Sequence, residues 1–180
     1  CFFAAAALQI IAFPLLLRLN IPKPSSLPQQ EAASIRPLKL FFKMPRFLAG
    51  LIGAALGYAV MSFMMTAAPL QIVSVSKMSD AANATVIQWH VIAMFAPSFF
   101  TGALVSRFGV RQMILYGRLL YGLVVVFALA GTSFWHYFAA LFLLGLGWNF
   151  LFVTGTTLIA RVARPAERGR VQGVSDLVIF

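Results

Sequence analysis

The sequence predicts an all-α fold, a polytopic bundle of membrane-spanning helices, on two observations. Apolar residues make up 61% of the 180 positions and charged residues only 10%, whereas a soluble domain is about half apolar and about a quarter charged. The apolar residues also form long runs without alternation, such as LLYGLVVVFALAG at 119–131. Because only helices and closed barrels satisfy every backbone polar group in lipid, and barrel strands alternate, these runs predict helices.

The chain is long enough for about four complete spans and two partial ones. A span needs about 20 mostly apolar residues, because each adds about 1.5 Å across roughly 30 Å of hydrocarbon. The first and sixth spans are predicted to be partial, at about 1–17 and from about 172 onward. The predicted complete spans, second to fifth, cover about 47–73, 86–105, 112–131 and 134–160.

The longest polar gap, 18–46, contains five prolines and is mostly basic, which is typical of a flexible linker. Its last part, LKLFFKMPRF, is predicted to form a short amphipathic helix on the membrane surface. The expected organisation is therefore the end of one helix at 1–17, a linker at 18–46 and a helical bundle at 47–180.

The basic residues predict the topology. Twelve of the fourteen lie in alternate gaps between spans, which share one side of the membrane. By the positive-inside rule, 18–46, 106–112 and 161–171 are expected in the cytoplasm, with the spans in the plasma membrane, a bacterial inner membrane. Nucleic-acid binding is not expected, because the charges do not follow one polar face and no reader motif occurs. The twelve are Arg18, Lys23, Arg36, Lys39, Lys43, Arg46, Arg107, Arg111, Arg161, Arg164, Arg168 and Arg170.

The second predicted span carries large side chains on one helical face. Tyr58, Met61 and Met65 follow each other at spacings of three and four residues. Methionine is flexible and polarizable, so this face is a candidate lining for a substrate path; the alternative is a packing or lipid-facing stripe. Gly53 and Gly57 predict a close helix crossing.

The fifth predicted span contains the most polar stretch deep in the membrane, LGLGWNFLFVTGTT. Asn149 and Thr156 lie seven residues apart on one face, with Trp148 beside it. An asparagine in lipid needs a partner, which is either another helix or a substrate. We predict that these three residues line the substrate path, although Thr156 can also bond its own helix backbone.

Three ionisable residues are candidates for coupling transport to protons, because intramembrane charges are functional by default. Asp176 opens the sixth span, where the helix dipole alone would also favour an acid. Arg118 lies inside the fourth span and can instead snorkel to the interface. His90, at the mouth of the third span, is alternatively an interface residue.

A short basic turn separates the third and fourth spans. In TGALVSRFGVR, Gly102, Arg107, Gly109 and Arg111 match a loop of the form G-x-x-x-D-R/K-x-G-R/K-R/K, with Ser106 in place of the acid and Val110 in place of one basic residue. This loop resembles that of the major facilitator superfamily, where it gates the cytoplasmic ends of the helices. PAERGRVQG at 165–173 resembles a second loop of the same family.

The resemblance implies part of a twelve-helix fold, from its sixth to its eleventh helix, whose other half is a required partner along with the lipid bilayer. It implies alternating access by a secondary transporter of a small organic molecule, with proton coupling and drug-type efflux as hypotheses. No catalytic signature and no cofactor or metal motif occurs, so an enzyme is not expected. The alternative is a non-transporting membrane scaffold or a channel-like subunit.

Overall fold

The computed structural model describes Ile10, Pro14, Arg18 and residues 35–180. Most of the predicted first span and most of the linker lie outside the described residues. The all-α prediction is confirmed, because the described part of the chain contains helices and no strand. The α-helices are α1 Leu38–Phe41, α2 Pro45–Leu70, α3 Asp80–Phe95, α4 Ser98–Phe108, α5 Val110–Ala130, α6 Phe134–Val162 and α7 Arg168–Ile179, with a π-helical turn at Gln71–Val75 and a 3-10 turn at Pro165–Glu167.

Among the described residues, three helices are long and apolar enough to cross a membrane: α2 with its π-helical extension, α5 and α6. They correspond to the predicted second, fourth and fifth spans. The predicted third span is not continuous, because α3 and α4 meet at a 45° bend and form one span only as a pair. Pro97 lies at the bend, where its missing N–H interrupts the helical hydrogen bonds.

Helix α6 packs against α2, α3 and α5, with a glycine at each crossing. A Cβ on Gly145 would lie 2.6 Å from the carbonyl oxygen of His90 in α3, and one on Gly147 would lie 2.6 Å from the ring of Tyr121 in α5. A Cβ on Gly155 would lie 2.7 Å from the carbonyl oxygen of Gly50 in α2. The glycines of α6 therefore allow α2 and α3 to approach to backbone contact and the Tyr121 ring of α5 to lie directly against α6.

The crossing of α2 with α6 uses one of the two glycines of α2 that the sequence predicted. Gly57 contacts Leu151 of α6, but a Cβ on Gly53 would have no atom within 4 Å. Gly50 takes the predicted place of Gly53. Gly50 and Gly57 lie two helical turns apart on the face that contacts α6, and the half-buried Gly53 lies at the edge of this face.

The three basic gaps meet at one end of the bundle, as the charge pattern predicted. Arg36 of the linker hydrogen-bonds to Glu167 in the loop after α6. Arg46 at the start of α2 lines one cavity with Arg111 and an adjoining cavity with Arg161. We call this end of the bundle the basic end. Its location in the cytoplasm stays a prediction.

Candidate functional site

Five aromatic rings from four helices form a continuous band, which we call the aromatic band. Its central pair is Trp148 and Phe152 of α6, whose rings are nearly parallel with centroids 4.7 Å apart. Phe95 of α3 packs against Trp148 at 6.1 Å. Phe180, directly after α7, contacts Phe152 at 6.2 Å and Tyr58 of α2 at 4.7 Å. The band therefore joins α2, α3, α6 and the end of α7, and includes no residue of α5.

The aromatic band combines a buried centre with exposed ends. Trp148 is 8% exposed, whereas Phe95 is 58% and Phe180 is 70% exposed. The indole Nε1–H of Trp148 is buried and has no hydrogen-bond partner among the described residues. Since buried indole N–H groups normally find an acceptor, this donor is available to a bound molecule.

Asn149 joins α6 to the bend between α3 and α4. Its Nδ2 donates to the carbonyl oxygen of Met94 at 2.7 Å and to the hydroxyl of Ser98 at 2.6 Å, and its Oδ1 accepts from Thr101 at 2.6 Å. The side chain is fully buried. Of the two partners that the sequence left open, the structure provides the interhelical one. Asn149 thus stabilises the last turn of α3, where helix carbonyls lack partners of their own.

The other substrate-path candidates are distributed over two helices. Met61 and Met65 are half-buried on α2, one and two turns beyond Tyr58 of the aromatic band. The hydroxyl of Thr156 donates to the carbonyl of Phe152 at 2.9 Å, which is bonding within its own helix. Trp148 and Tyr58 thus belong to one band, while the Thr156 hydroxyl is occupied by the α6 backbone.

A multidentate ion pair lies at the basic end. The Nε and Nη2 atoms of Arg36 donate to the two carboxylate oxygens of Glu167, at 2.9 and 2.6 Å. The backbone N–H groups of Arg36 and Arg164 donate to the same carboxylate, at 3.0 and 2.9 Å. Arg36 also donates to the carbonyl of Val162 at 2.9 Å. We call this set of contacts the Arg36–Glu167 clamp.

Sequence reasoning noted the loop of Glu167 but did not assign this residue a role. The available signal was its position, three residues after Arg164 and two after Pro165, which favours an acid that caps a helical turn. Its partner lies 131 residues away along the chain, so no local pattern could have identified it.

The three coupling candidates do not meet. His90 is fully buried between α3 and α6, with its Nδ1 2.7 Å from the carbonyl oxygen of Leu141. Asp176 accepts a hydrogen bond from Gln172 of its own helix at 2.8 Å. Arg118 is exposed and lines a cavity at the basic end. Their role in coupling stays a prediction.

Comparison with known proteins decides the family. The sequence model of the Major Facilitator Superfamily matches residues 1–180. The chain belongs to the major facilitator superfamily.

Relatives of this superfamily member include characterised and uncharacterised transporters. The riboflavin transporter RfnT of Brucella anthropi is 41% identical over 179 residues, which cover 99% of this chain and 45% of RfnT. The uncharacterised MFS-type transporter YdeG of Bacillus subtilis is 42% identical over 97 residues, 52% of this chain and 22% of YdeG. The multidrug resistance protein MdtH of Photorhabdus laumondii is 38% identical over 71 residues, 39% of this chain and 18% of MdtH. No solved structure matches. The chain thus spans less than half the length of RfnT.

The predicted gating loop of this superfamily member consists of the end of α4, a one-residue turn at Gly109 and the start of α5. Gly109 has φ 82°, a left-handed conformation that favours glycine. Arg107 lies over the ring of Phe108, and Arg111 faces a cavity in the first turn of α5. A Cβ on Gly102 would meet no atom within 4 Å, so the described residues give no close contact at that position. The gating role of these four residues stays a prediction.

The Arg36–Glu167 clamp predicts an acid-sensitive contribution to stability in this superfamily member. The hydrogen bonds from the Arg36 side chain lower the pKa of Glu167 from 4.5 to about 2. Because the folded pKa lies below the unfolded one, the contribution is fully present above about pH 4.5 and is lost as pH falls toward 2. We expect the difference in unfolding midpoint between the unsubstituted protein and Glu167→Gln to be constant from pH 5 to 8 and to shrink below pH 4.5. A difference that instead shrinks between pH 6 and 8 would assign the effect to another group.

Proposed function

We propose that the full-length natural protein is a secondary active transporter that moves a small, planar heteroaromatic molecule of the flavin type by alternating access. The aromatic band is the observation that carries the substrate class. Membership of the superfamily supports the transport mechanism, in which two helical bundles rock around a central site. The identity to a riboflavin transporter over nearly the whole chain supports a flavin.

The aromatic band has the properties that a flat conjugated ring requires. Stacking of a planar base on an aromatic side chain contributes about 1–3 kcal/mol, and a flavin ring has the same flat π-rich face. The exposed faces of Phe95 and Phe180 offer such a surface at the edge of the bundle. The unpartnered indole N–H of Trp148 would supply a donor for a ring carbonyl of the substrate.

Drug-type efflux, predicted from the Met and aromatic residues, is the second candidate function. Its support is the partial match to MdtH, which covers 39% of this chain, against 99% for RfnT. The flavin therefore ranks first. Coupling to protons is a further part of this proposal, with His90 and Asp176 as the residues to test.

Uptake of radiolabelled riboflavin by cells that express the full-length natural protein tests the substrate class and the aromatic band together. Trp148→Leu is expected to raise the apparent KM about fivefold, because removing a hydrogen-bond donor worth about 1 kcal/mol has that effect. Trp148→Phe keeps a ring but also lacks the N–H, so it is expected to raise KM by a similar factor.

Trp135→Leu is the matched control, because Trp135 is 71% exposed and lies outside the aromatic band. It is expected to leave KM unchanged. Riboflavin uptake no higher than in cells with an empty vector would reject the flavin. Uptake with the same KM in Trp148→Leu and Trp135→Leu would reject the aromatic band as the site.

A further inference from the structure

The basic end contains a cavity of about 600 Å³ between α2, α5 and α6, which the proposed transport function does not use. Three of its lining side chains are arginines, Arg46 of α2 and Arg111 and Arg118 of α5. The remaining lining is apolar, from Pro45, Ala49, Val110, Ile114, Leu115 and Leu158. A second cavity of about 580 Å³ shares Arg46 and adds Arg161. One apolar groove is therefore bordered by four cationic side chains.

The charge of this groove is not compensated within the described part of the chain. None of its four arginines forms an ion pair or a side-chain hydrogen bond there, and no acid lines either cavity. Glu167 is engaged by Arg36, Asp176 is hydrogen-bonded to Gln172, and Asp80 begins α3 at the other end of the bundle. All four arginines are exposed, so an anionic group from outside these residues can reach them.

Three of the four arginines lie at helix ends, where lipid headgroups are expected. Arg46 and Arg111 are the second residues of α2 and α5, and Arg161 precedes the last residue of α6. Arg118 lies seven residues further along α5, about 10 Å deeper at 1.5 Å per residue. The headgroup layer is only about 5–7 Å thick on each side, so Arg118 reaches it by extending toward the interface.

We propose that this groove binds an anionic phospholipid, with its phosphate held between Arg46, Arg111 and Arg118. Guanidinium groups donate paired hydrogen bonds to phosphate oxygens, which makes arginine well suited to this headgroup. One acyl chain lies along Ala49, Ile114 and Leu158 on the apolar side of the groove. Basic pockets between spans on the cytoplasmic side are a known means of lipid recognition. Lipid binding in this groove does not depend on which molecule the protein transports.

Native mass spectrometry of the full-length natural protein, titrated with phosphatidylglycerol or phosphatidylcholine, measures the binding directly. Each arginine near an anionic surface contributes roughly a fivefold change in affinity, so Arg46→Gln/Arg118→Gln is expected to weaken phosphatidylglycerol binding about 30-fold. Lys39→Gln/Lys43→Gln is the matched control, because it removes two exposed charges at the same end that line neither cavity. It is expected to change the affinity less than twofold.

Three results would overturn the proposal: equal losses in the two double variants, equal binding of the two lipids, or displacement of phosphatidylglycerol by soluble glycerol phosphate at equal concentration. A photo-crosslinking amino acid at Leu115 keeps the proposal testable if the arginine variants do not fold. Crosslinks to phospholipid support the site. Crosslinks to another segment of the protein would show that the groove is filled by the chain.

Discussion

Replacing Gly50 by leucine is expected to abolish the folded form of the protein. A Cβ on Gly50 would lie 2.8 Å from the carbonyl oxygen of Gly155, and the rest of the leucine would meet Leu158 and Ile159. The clash is with backbone, so α2 and α6 would have to separate. Overpacking that side-chain shifts relieve already costs up to about 3 kcal/mol, and the cost of separating the helices is expected to be larger. Fluorescence-detected gel filtration of a fusion to a fluorescent protein should show the monodisperse peak replaced by aggregate.

Gly53→Leu is the control for this experiment, because it makes the same change on the same helix three residues later. No atom lies within 4 Å of a Cβ at Gly53, so the elution profile should be kept and stability should change by less than about 0.5 kcal/mol. If Gly53→Leu aggregated and Gly50→Leu did not, the assignment of Gly50 to the crossing with α6 would be wrong.

Glu167→Gln is expected to destabilise the protein by about 3 kcal/mol, because breaking a buried ion pair leaves the remaining charge without its partner. The Glu167 side chain is 2% exposed and accepts from both the side chain and the backbone of Arg36. The amide retains one acceptor oxygen but places an N–H₂ group against the guanidinium. The free energy of unfolding in detergent, from denaturant titration followed by tryptophan fluorescence, measures the loss.

Asp176→Asn makes the same carboxylate-to-amide change at a half-buried position whose described partner, Gln172, is on the same helix. It should cost less than about 0.5 kcal/mol. The exchange variant Arg36→Glu/Glu167→Arg should recover part of the stability, because it restores one pair of opposite charges. Equal costs for Glu167→Gln and Asp176→Asn would remove the Arg36–Glu167 clamp from the stabilising contacts.

The helical class and the positions of three spans could be predicted because hydropathy is a local property. The runs ending near Leu70 and at Ala130 are apolar enough to mark spans without any knowledge of their neighbours. The bend at Pro97 was not predicted, since a proline inside an apolar run allows both a kinked helix and a broken one. Asn149, on another helix, hydrogen-bonds to both sides of the bend, and this contact is not visible in the local sequence.

For contacts between helices, the sequence could predict that a partner was required but not which residue supplies it. The sequence required a partner for Asn149 and a close crossing on α2, but the partner's identity and the rotation of α2 depend on packing. Gly50 and Gly53 have the same local context, so only the position of α6 distinguishes them. Glu167 was not predicted as a functional residue, because the sequence does not show whether an acidic residue is paired. Its partner, Arg36, lies 131 positions away and is brought close only by the fold.

The three glycine crossings of α6 restrict how this part of the protein can change shape. At the crossings of α6 with α2 and α3 backbone touches backbone, and at the crossing with α5 the Tyr121 ring lies against Gly147, so sliding by one side chain would create clashes. In the transport cycle proposed for the full-length protein, we therefore expect α2, α3, α5 and α6 to move together as one unit.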